Sequence, residues 1–299
     1  MNDSPAKLAV NASEIRSLSQ LQPIKSHLAV ITEWMLIGGA IALHIYSKNP
    51  FVYFLCWGII GTRMYALYSL LHEGIHFLLS KNKKVNDAIS IFFLATPLFI
   101  SLARIRVFHF AHHQHLQTAA DPEAAHRQYE EFQFPKTKKQ MLLIFLKDLS
   151  GINYFQYRLQ KLFHGRRKPF KIPNPQQSIV YLIVAGAVLY WGWGWELVLY
   201  WLLPYITIYQ ALNRLRLSTE HFHLPQEKIF KTRTMRLNFF ERFIFSPHNL
   251  GFHTEHHLYP GVPFYKLQAL HKRLMQDETY QKNVLISNSY STAIKEYID

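Results

Sequence analysis

Cysteine is almost absent. Cys56 is the only one among 299 residues, so the chain can form no intramolecular disulfide, no cysteine-held iron–sulfur cluster and no zinc ribbon. Charged side chains are scarce too: at 17% they fall below the roughly 25% of soluble domains, a deficit that points to a membrane. No internal repeat or low-complexity tract is visible. Met1 to Lys25 contains no apolar core preceded by basic residues, so a cleavable signal peptide is not expected. What the chain has instead is 49% apolar and 15% aromatic content with a formal charge of +14. In a chain with apolar runs, such an excess suits basic loops facing an anionic leaflet better than nucleic acid, which is not expected as a partner.

A bilayer core needs about 20 mostly apolar helical residues. Four stretches fit: 28–46, 51–71, 178–195 and 197–212. The first two are joined by Ser47 to Pro50 and the second two by the turn around Trp191-Gly-Trp-Gly-Trp195, whose indoles suit a membrane interface. Residues 88–103 are apolar but short and contain Pro97, and they read as a re-entrant or interfacial segment. The expected fold is all-α, with four transmembrane helices in two hairpins. Residues 1–27 form a cytosolic N-terminal segment and 28–299 one membrane domain. Lys and Arg gather on the side that holds both termini, which the positive-inside bias assigns to the cytosol, and the expected location is a bacterial inner membrane. Arg63, alone among the charged residues of the second span, needs a partner at that depth, and Glu33 is the leading one.

Histidine carries the chemistry. Eight of 17 lie in three clusters: His72-Glu-Gly-Ile-His76, His109-Phe-Ala-His112-His113 and His253-Thr-Glu-His256-His257. Residues three and four apart share a helix face, so each cluster can aim its imidazoles at one point. Neutral imidazole suits Zn, Cu, Fe and Ni, and a single tetrahedral ion takes about four ligands, so eight are too many for one metal. A single such histidine is more often a surface or satisfied core residue; three clusters together are not. One rival reading treats His72-Glu73-Gly-Ile-His76 as the H-E-x-x-H of an intramembrane zinc protease, with Glu73 as base, but it leaves the other clusters unexplained. Glu73, Asp121 and Glu255 are candidates to accept the second ring N–H of a metal-bound histidine. For Asp121 a turn before Pro122 is at least as good a reading.

The clusters, with His109-Phe-Ala-His-His-Gln-His-Leu-Gln-Thr-Ala-Ala-Asp-Pro-Glu123 and Pro247-His-Asn-Leu-Gly-Phe-His-Thr-Glu-His-His-Leu-Tyr-Pro-Gly-Val-Pro263, resemble the membrane fatty acid desaturase superfamily from about Tyr65 to His271. The resemblance implies membrane helices under a cytosolic helical cap that holds two ferrous ions. It adds a ligand near the end of the last span, His221 with His223 as competitor, and Asn249 could reach a metal through water. The implied reaction is oxygen-dependent desaturation of a lipid acyl chain. A hydroxylase or ketolase acting on a lipid or carotenoid is the alternative. Three residues between His72 and His76 lean toward acyl-lipid rather than acyl-CoA substrates. No fused cytochrome b5 domain is apparent, so electrons are expected from a separate ferredoxin or cytochrome b5. The basic stretch from Arg158 to Lys171 could steer such a carrier or bind lipid headgroups.

Overall fold

The computed structural model describes residues 8–164, 174–225 and 229–298. Helix α1 (Ala12–Leu18) starts at a capping box between Asn11 and Glu14. Lys48, in the left-handed conformation, ends α2 (Pro23–Ser47). Asn49 Oδ1 then accepts from Phe51 N at 2.9 Å to open α3 (Pro50–Ile75), where Pro50 takes the first helical position and its missing N–H costs nothing. The predicted first hairpin is therefore present, and both helices are long and apolar enough to cross a membrane. Twenty-five residues span about 37 Å, against a hydrocarbon core of about 30 Å.

The chain continues through α4 (Lys83–Ile89), a π-helical turn at Ser90–Ala95, α5 (Leu102–His115), α6 (Lys138–Leu149) and α7 (Ile152–His164). The second predicted hairpin differs from expectation in its bounds. Helix α8 (Pro175–Trp191) has 17 residues and stops at Gly192, whose φ of 71° is left-handed, so its length of about 26 Å falls short of the hydrocarbon thickness. Its return begins with α9 (Gly194–Leu197) and stays helical through π turns at Val198–Leu202 and Tyr205–Tyr209 into α10 (Gln210–His221). Among the described residues, only α2 and α3 meet both length and hydropathy for crossing alone. On α8, Leu182 is 71% and Leu189 83% exposed, an apolar surface suited to lipid rather than water.

Residues 96–101 turn back on themselves, which exposes carbonyls that no helix satisfies. Two surrounding elements cap them, and a third supports the π turn just before. Tyr181 OH donates to Thr96 O (3.1 Å), Trp201 Nε1 to Pro97 O (2.8 Å) and Gln177 Nε2 to Ile100 O (2.7 Å), while Trp34 Nε1 of α2 donates to Phe93 O (3.1 Å). Irregular backbone among apolar helices is tolerable only with such partners.

Helix α3 is the centre of the core: Cys56, Ile60, Met64, Leu67, Leu70, Leu71 and Ile75 are all buried, packed with Ile37, Leu94, Tyr205 and Tyr209. Gly61 lets it approach the second π turn so closely that a Cβ there would collide with Ile208. Arg63 pairs with Glu33 at 3.2 Å, and the other oxygen of Glu33 meets His248 Nε2 at 2.9 Å, which ties both long helices to the segment preceding the third histidine cluster. That segment belongs to a C-terminal cap of β1 (Arg233–Met235), α11 (Phe239–Phe245), α12 (His253–Leu258), α13 (Phe264–Leu274), α14 (Glu278–Asn283), β2 (Leu285–Ser287) and α15 (Tyr290–Lys295). The parallel pair β1 and β2, with Thr234 opposite Ile286, is the one small sheet in an otherwise helical structure among the described residues. Arg273 Nε to Glu14 Oε1 (2.9 Å) and Arg273 to Ala9 O (2.9 Å) hold the N-terminal residues against this cap.

Candidate metal centre

His72 stands on the last turn of α3 and His76 is the residue that caps it; His109, His112 and His113 lie on α5, His221 ends α10, and His253, His256 and His257 lie on α12. The expectation that each cluster aims at one point needs correction. The nine imidazoles form two groups that cut across the clusters: His72, His76, His109, His113 and His256 in one, and His112, His221, His253 and His257 in the other. Helical rotation gives the reason. At 100° per residue, positions four apart differ by 40°, so His109 and His113 share one face, as do His253 and His257; His112 and His256 lie 60° back from the first member of each pair and turn toward the other group.

In the five-histidine group, Nε2 of His109 is 2.9 Å from that of His76 and 2.9 Å from that of His113, which is 3.1 Å from that of His256. No placement of protons gives every contact in this run a full hydrogen bond. A neutral imidazole nitrogen is donor or acceptor, never both, so even with the two alternating along the run His109 and His113 must each share one lone pair or one N–H between two neighbours. Nε2 of His72 and of His112 are buried with no hydrogen-bond partner. In the second group, Nε2 of His253 is 2.7 Å from His221 and 3.1 Å from His257. A cation amid each group would meet all these lone pairs at once, so the donor sets fit metal ions. Burial, the leading cause, reinforced by neighbouring imidazoles, holds His221, His253, His256 and His257 neutral. It lowers the pKa of His113 to about 3 and, with nearby Arg106, that of His76 to about 4.

The carboxylates divide. Asp121 accepts from His112 Nδ1 at 2.9 Å and also from the amides of Gln117 and Glu123, so the turn and the orientation of the imidazole are one structure. Glu73 and Glu255 were expected to hold histidines of the clusters and do not. Glu73 Oε2 accepts from Phe264 N (2.9 Å), while Asn249 Nδ2 donates to Phe264 O (3.0 Å); together they clamp the first residue of α13 to the end of α3. That engagement turns Asn249 to a backbone carbonyl and removes Glu73 from the position of a protease base. Glu255 accepts from His271 Nδ1 (2.5 Å), Tyr280 OH (2.7 Å) and Thr234 Oγ1 (2.8 Å), which locks α12 to the cap behind it. Along their helices Glu73 is turned about 100° from His72 and Glu255 about 100° from His256, which points both carboxylates away from those imidazoles. His223 joins neither group: it is exposed, with φ 48°, and its ring lies 5.6 Å from that of Tyr297.

Several supporting residues carry no signal in the sequence. Arg106 donates to Gly74 O (3.0 Å) and Ile75 O (3.2 Å) and pairs with Asp87 (2.7 Å), and Asn86 Nδ2 also donates to Gly74 O (2.9 Å). They satisfy the open carbonyls where α3 ends, the turn that carries His72 and His76. Gly74 itself has no room for a Cβ, which would strike Ser90 Oγ. Glu123, Arg216 and Glu220 surround the second group. Arg216 Nε is 2.6 Å from Glu220 Oε2, a spacing of four along α10 that could have been read as a pair, and burial outweighs that arginine to push the Glu220 carboxyl up to about 8. Of the basic stretch, Arg158 lies against Tyr154, whereas the side chains of Lys161 to Lys171 lie outside the described residues.

A helix bundle that ends in two groups of five and four imidazoles, each with the donor set of a metal site, defines the class of site this fold carries. The chain belongs to the fatty acid desaturase family, whose profile matches residues 48–289, and it is an oxidoreductase. A dihydrorhizobitoxine desaturase of Bradyrhizobium elkanii is 27% identical over 288 residues, 89% of this chain and 80% of its own. An sn-1 acyl-lipid omega-3 desaturase (ferredoxin) of Synechocystis is 24% identical over 78% of this chain and 70% of its own, and a chloroplastic omega-6 fatty acid desaturase of Glycine max 20% identical over 88% and 65%. The chain thus spans just under two thirds of the soybean enzyme.

Proposed function

We propose that this protein is a multi-pass membrane desaturase that uses two ferrous ions and dioxygen to introduce a double bond into the acyl chain of a lipid. The observation that carries the reading is the pairing of five- and four-imidazole groups above an apolar bundle. His72, His76, His109, His113 and His256 would hold one iron and His112, His221, His253 and His257 the other. When bound, such a pair supplies reductive activation of dioxygen strong enough to take hydrogen from an unactivated C–H bond. The chain's own residues do the rest. Burial keeps the imidazoles neutral and thus able to bind; Asp121 fixes His112; the grip of Glu73 and Asn249 on Phe264 and of Glu255 on His271, Tyr280 and Thr234 holds α12 and α13 in place.

An apolar cleft of about 920 Å³, lined by Trp34, Ile41, Val184, Val188, Leu197 and Trp201, opens between α2, α8 and the π-helical return. It offers an alkyl chain entry from the bilayer. The second hairpin completes a four-span topology with both termini and both metal groups on the cytosolic side, and electrons come from an external carrier, for which the cyanobacterial relative's ferredoxin is the precedent. The names of the relatives favour double-bond formation over oxygen insertion, and the Bradyrhizobium relative supports a second reading in which the substrate is dihydrorhizobitoxine or a compound like it instead of a lipid.

The test is expression in a host of defined lipids, with a ferredoxin supplied, followed by mass spectrometry of lipid and polar extracts against a His112→Ala control. Loss of two hydrogens from an acyl chain is the expected product; an added oxygen would move the assignment to a hydroxylase or ketolase. One zinc and no iron in the purified chain would overturn the proposal.

A further inference from the structure

The two histidine groups differ in what stands beside them. Around the five-histidine group, no carboxylate comes within ion-pair distance of a ring nitrogen among the described residues. The four-histidine group has two such carboxylates besides Asp121. Glu220 Oε2, 3.6 Å from His253 Nε2, likewise has no hydrogen-bond partner, but it lies 2.6 Å from Arg216 Nε, which supplies a counter-charge. Glu123 is different. Its Oε2 lies 3.7 Å from His221 Nε2 and 3.7 Å from His112 Nδ1, is buried, and has no hydrogen-bond partner. His112 Nδ1 already donates to Asp121, which leaves its unpartnered Nε2 as the nitrogen turned to the group.

A buried carboxylate oxygen without donors is expensive, and evolution of a stable fold would ordinarily replace it or pair it. A divalent cation among neutral imidazoles carries the complementary problem, because nothing in an all-nitrogen set offsets its charge. The two problems resolve each other. Glu123 is held in place by the same turn that orients His112, since its own amide N–H donates to Asp121 Oδ1 at 2.9 Å, so its carboxyl is delivered to this group by local structure rather than by chance.

We propose that Glu123 is a carboxylate donor to the cation of the four-histidine group, which makes the two metal positions chemically unequal: five imidazoles in one, four imidazoles and one carboxylate in the other. The inference rests on the two-iron reading above. An anionic oxygen favours the higher oxidation state, so the iron beside Glu123 is the more easily oxidised of the two.

The experiment uses the full chain, purified in detergent after growth on ⁵⁷Fe, with iron counted per chain and Mössbauer spectra recorded. The unsubstituted chain is expected to give two quadrupole doublets of equal area. Glu123→Gln, which keeps the shape and breaks no hydrogen bond of the carboxyl, is expected to lose one doublet and to fall from about two irons to about one, with the other doublet unmoved. Retention of both irons with both doublets unchanged overturns the proposal. If Glu123→Gln does not purify as a single species, Glu123→Asp decides: a shift confined to one doublet supports it, and two unchanged doublets overturn it. Fewer than two irons in the unsubstituted chain would instead count against the two-iron reading itself, before any variant is compared.

Discussion

Replacing Asp121 with Asn tests whether the histidine clusters are shared between two metals as the structure places them. Asp121 Oδ1 accepts from His112 Nδ1 and Glu123 N, and Oδ2 from Gln117 N, each at 2.9 Å. Asparagine supplies one oxygen and one NH₂ in that space. Whichever way the amide turns, a donor then faces a donor: Gln117 N–H in one orientation, His112 Nδ1–H and Glu123 N–H in the other. A buried group left unpaired costs about 1–3 kcal/mol, and loss of an outer carboxylate on a ligating histidine lowers metal affinity by roughly 10–100-fold, or about 1.4–2.7 kcal/mol. His112 belongs only to the four-histidine group. The variant should therefore release half of its iron at a chelator concentration roughly 10–100-fold lower than the unsubstituted chain, while the other half stays put. Chelator competition on the purified full chain, with iron counted by mass spectrometry, reads this directly. Uniform weakening of all the iron, or none, would refute the assignment of His112 apart from His109 and His113.

Three further outcomes are expected. His221→Ala should lose iron from the same position and abolish turnover, whereas His223→Ala, at an exposed residue outside both groups, should keep most of both; the opposite result in paired iron and product assays would move the ligand by two residues. Thiol labels placed at Lys295 and Lys48 in Cys56→Ala chains should report opposite faces of the membrane, the first cytosolic; the same face for both would rule out the first hairpin as a membrane crossing. In the metal-free chain, folding holds the pKa of His76 near 4 and of His113 near 3, below the unfolded value of about 6.5. The unfolded state then binds more protons as pH falls, so thermal stability should be full above about pH 7 and decline from there toward pH 4, and a flat melting profile across that range would contradict the burial of these imidazoles.

The sequence by itself determined what depends on local pattern. Runs of apolar residues fixed α2 and α3, because a helix of that length and composition has few other environments; Ser47 to Pro50 carried its own turn chemistry; and clusters repeating at three- and four-residue spacing announced metal chemistry without any fold. The Arg63–Glu33 pair was legible for the same kind of reason, since a lone guanidinium in an apolar helix must find an anion. What only the tertiary structure decided is which residues meet across the chain. Neighbouring positions on α5 and α12 face two different groups because those helices cross between them, so His112 parts from His109, and His256 from His253. Glu73 and Glu255 sit inside the clusters yet point away, toward backbone and side chains of α13, α14 and β1, because a helix one residue on has turned by about 100°. Arg106, Asn86 and Glu123 act at sites supplied by other segments, and no spacing along the chain encodes such an encounter.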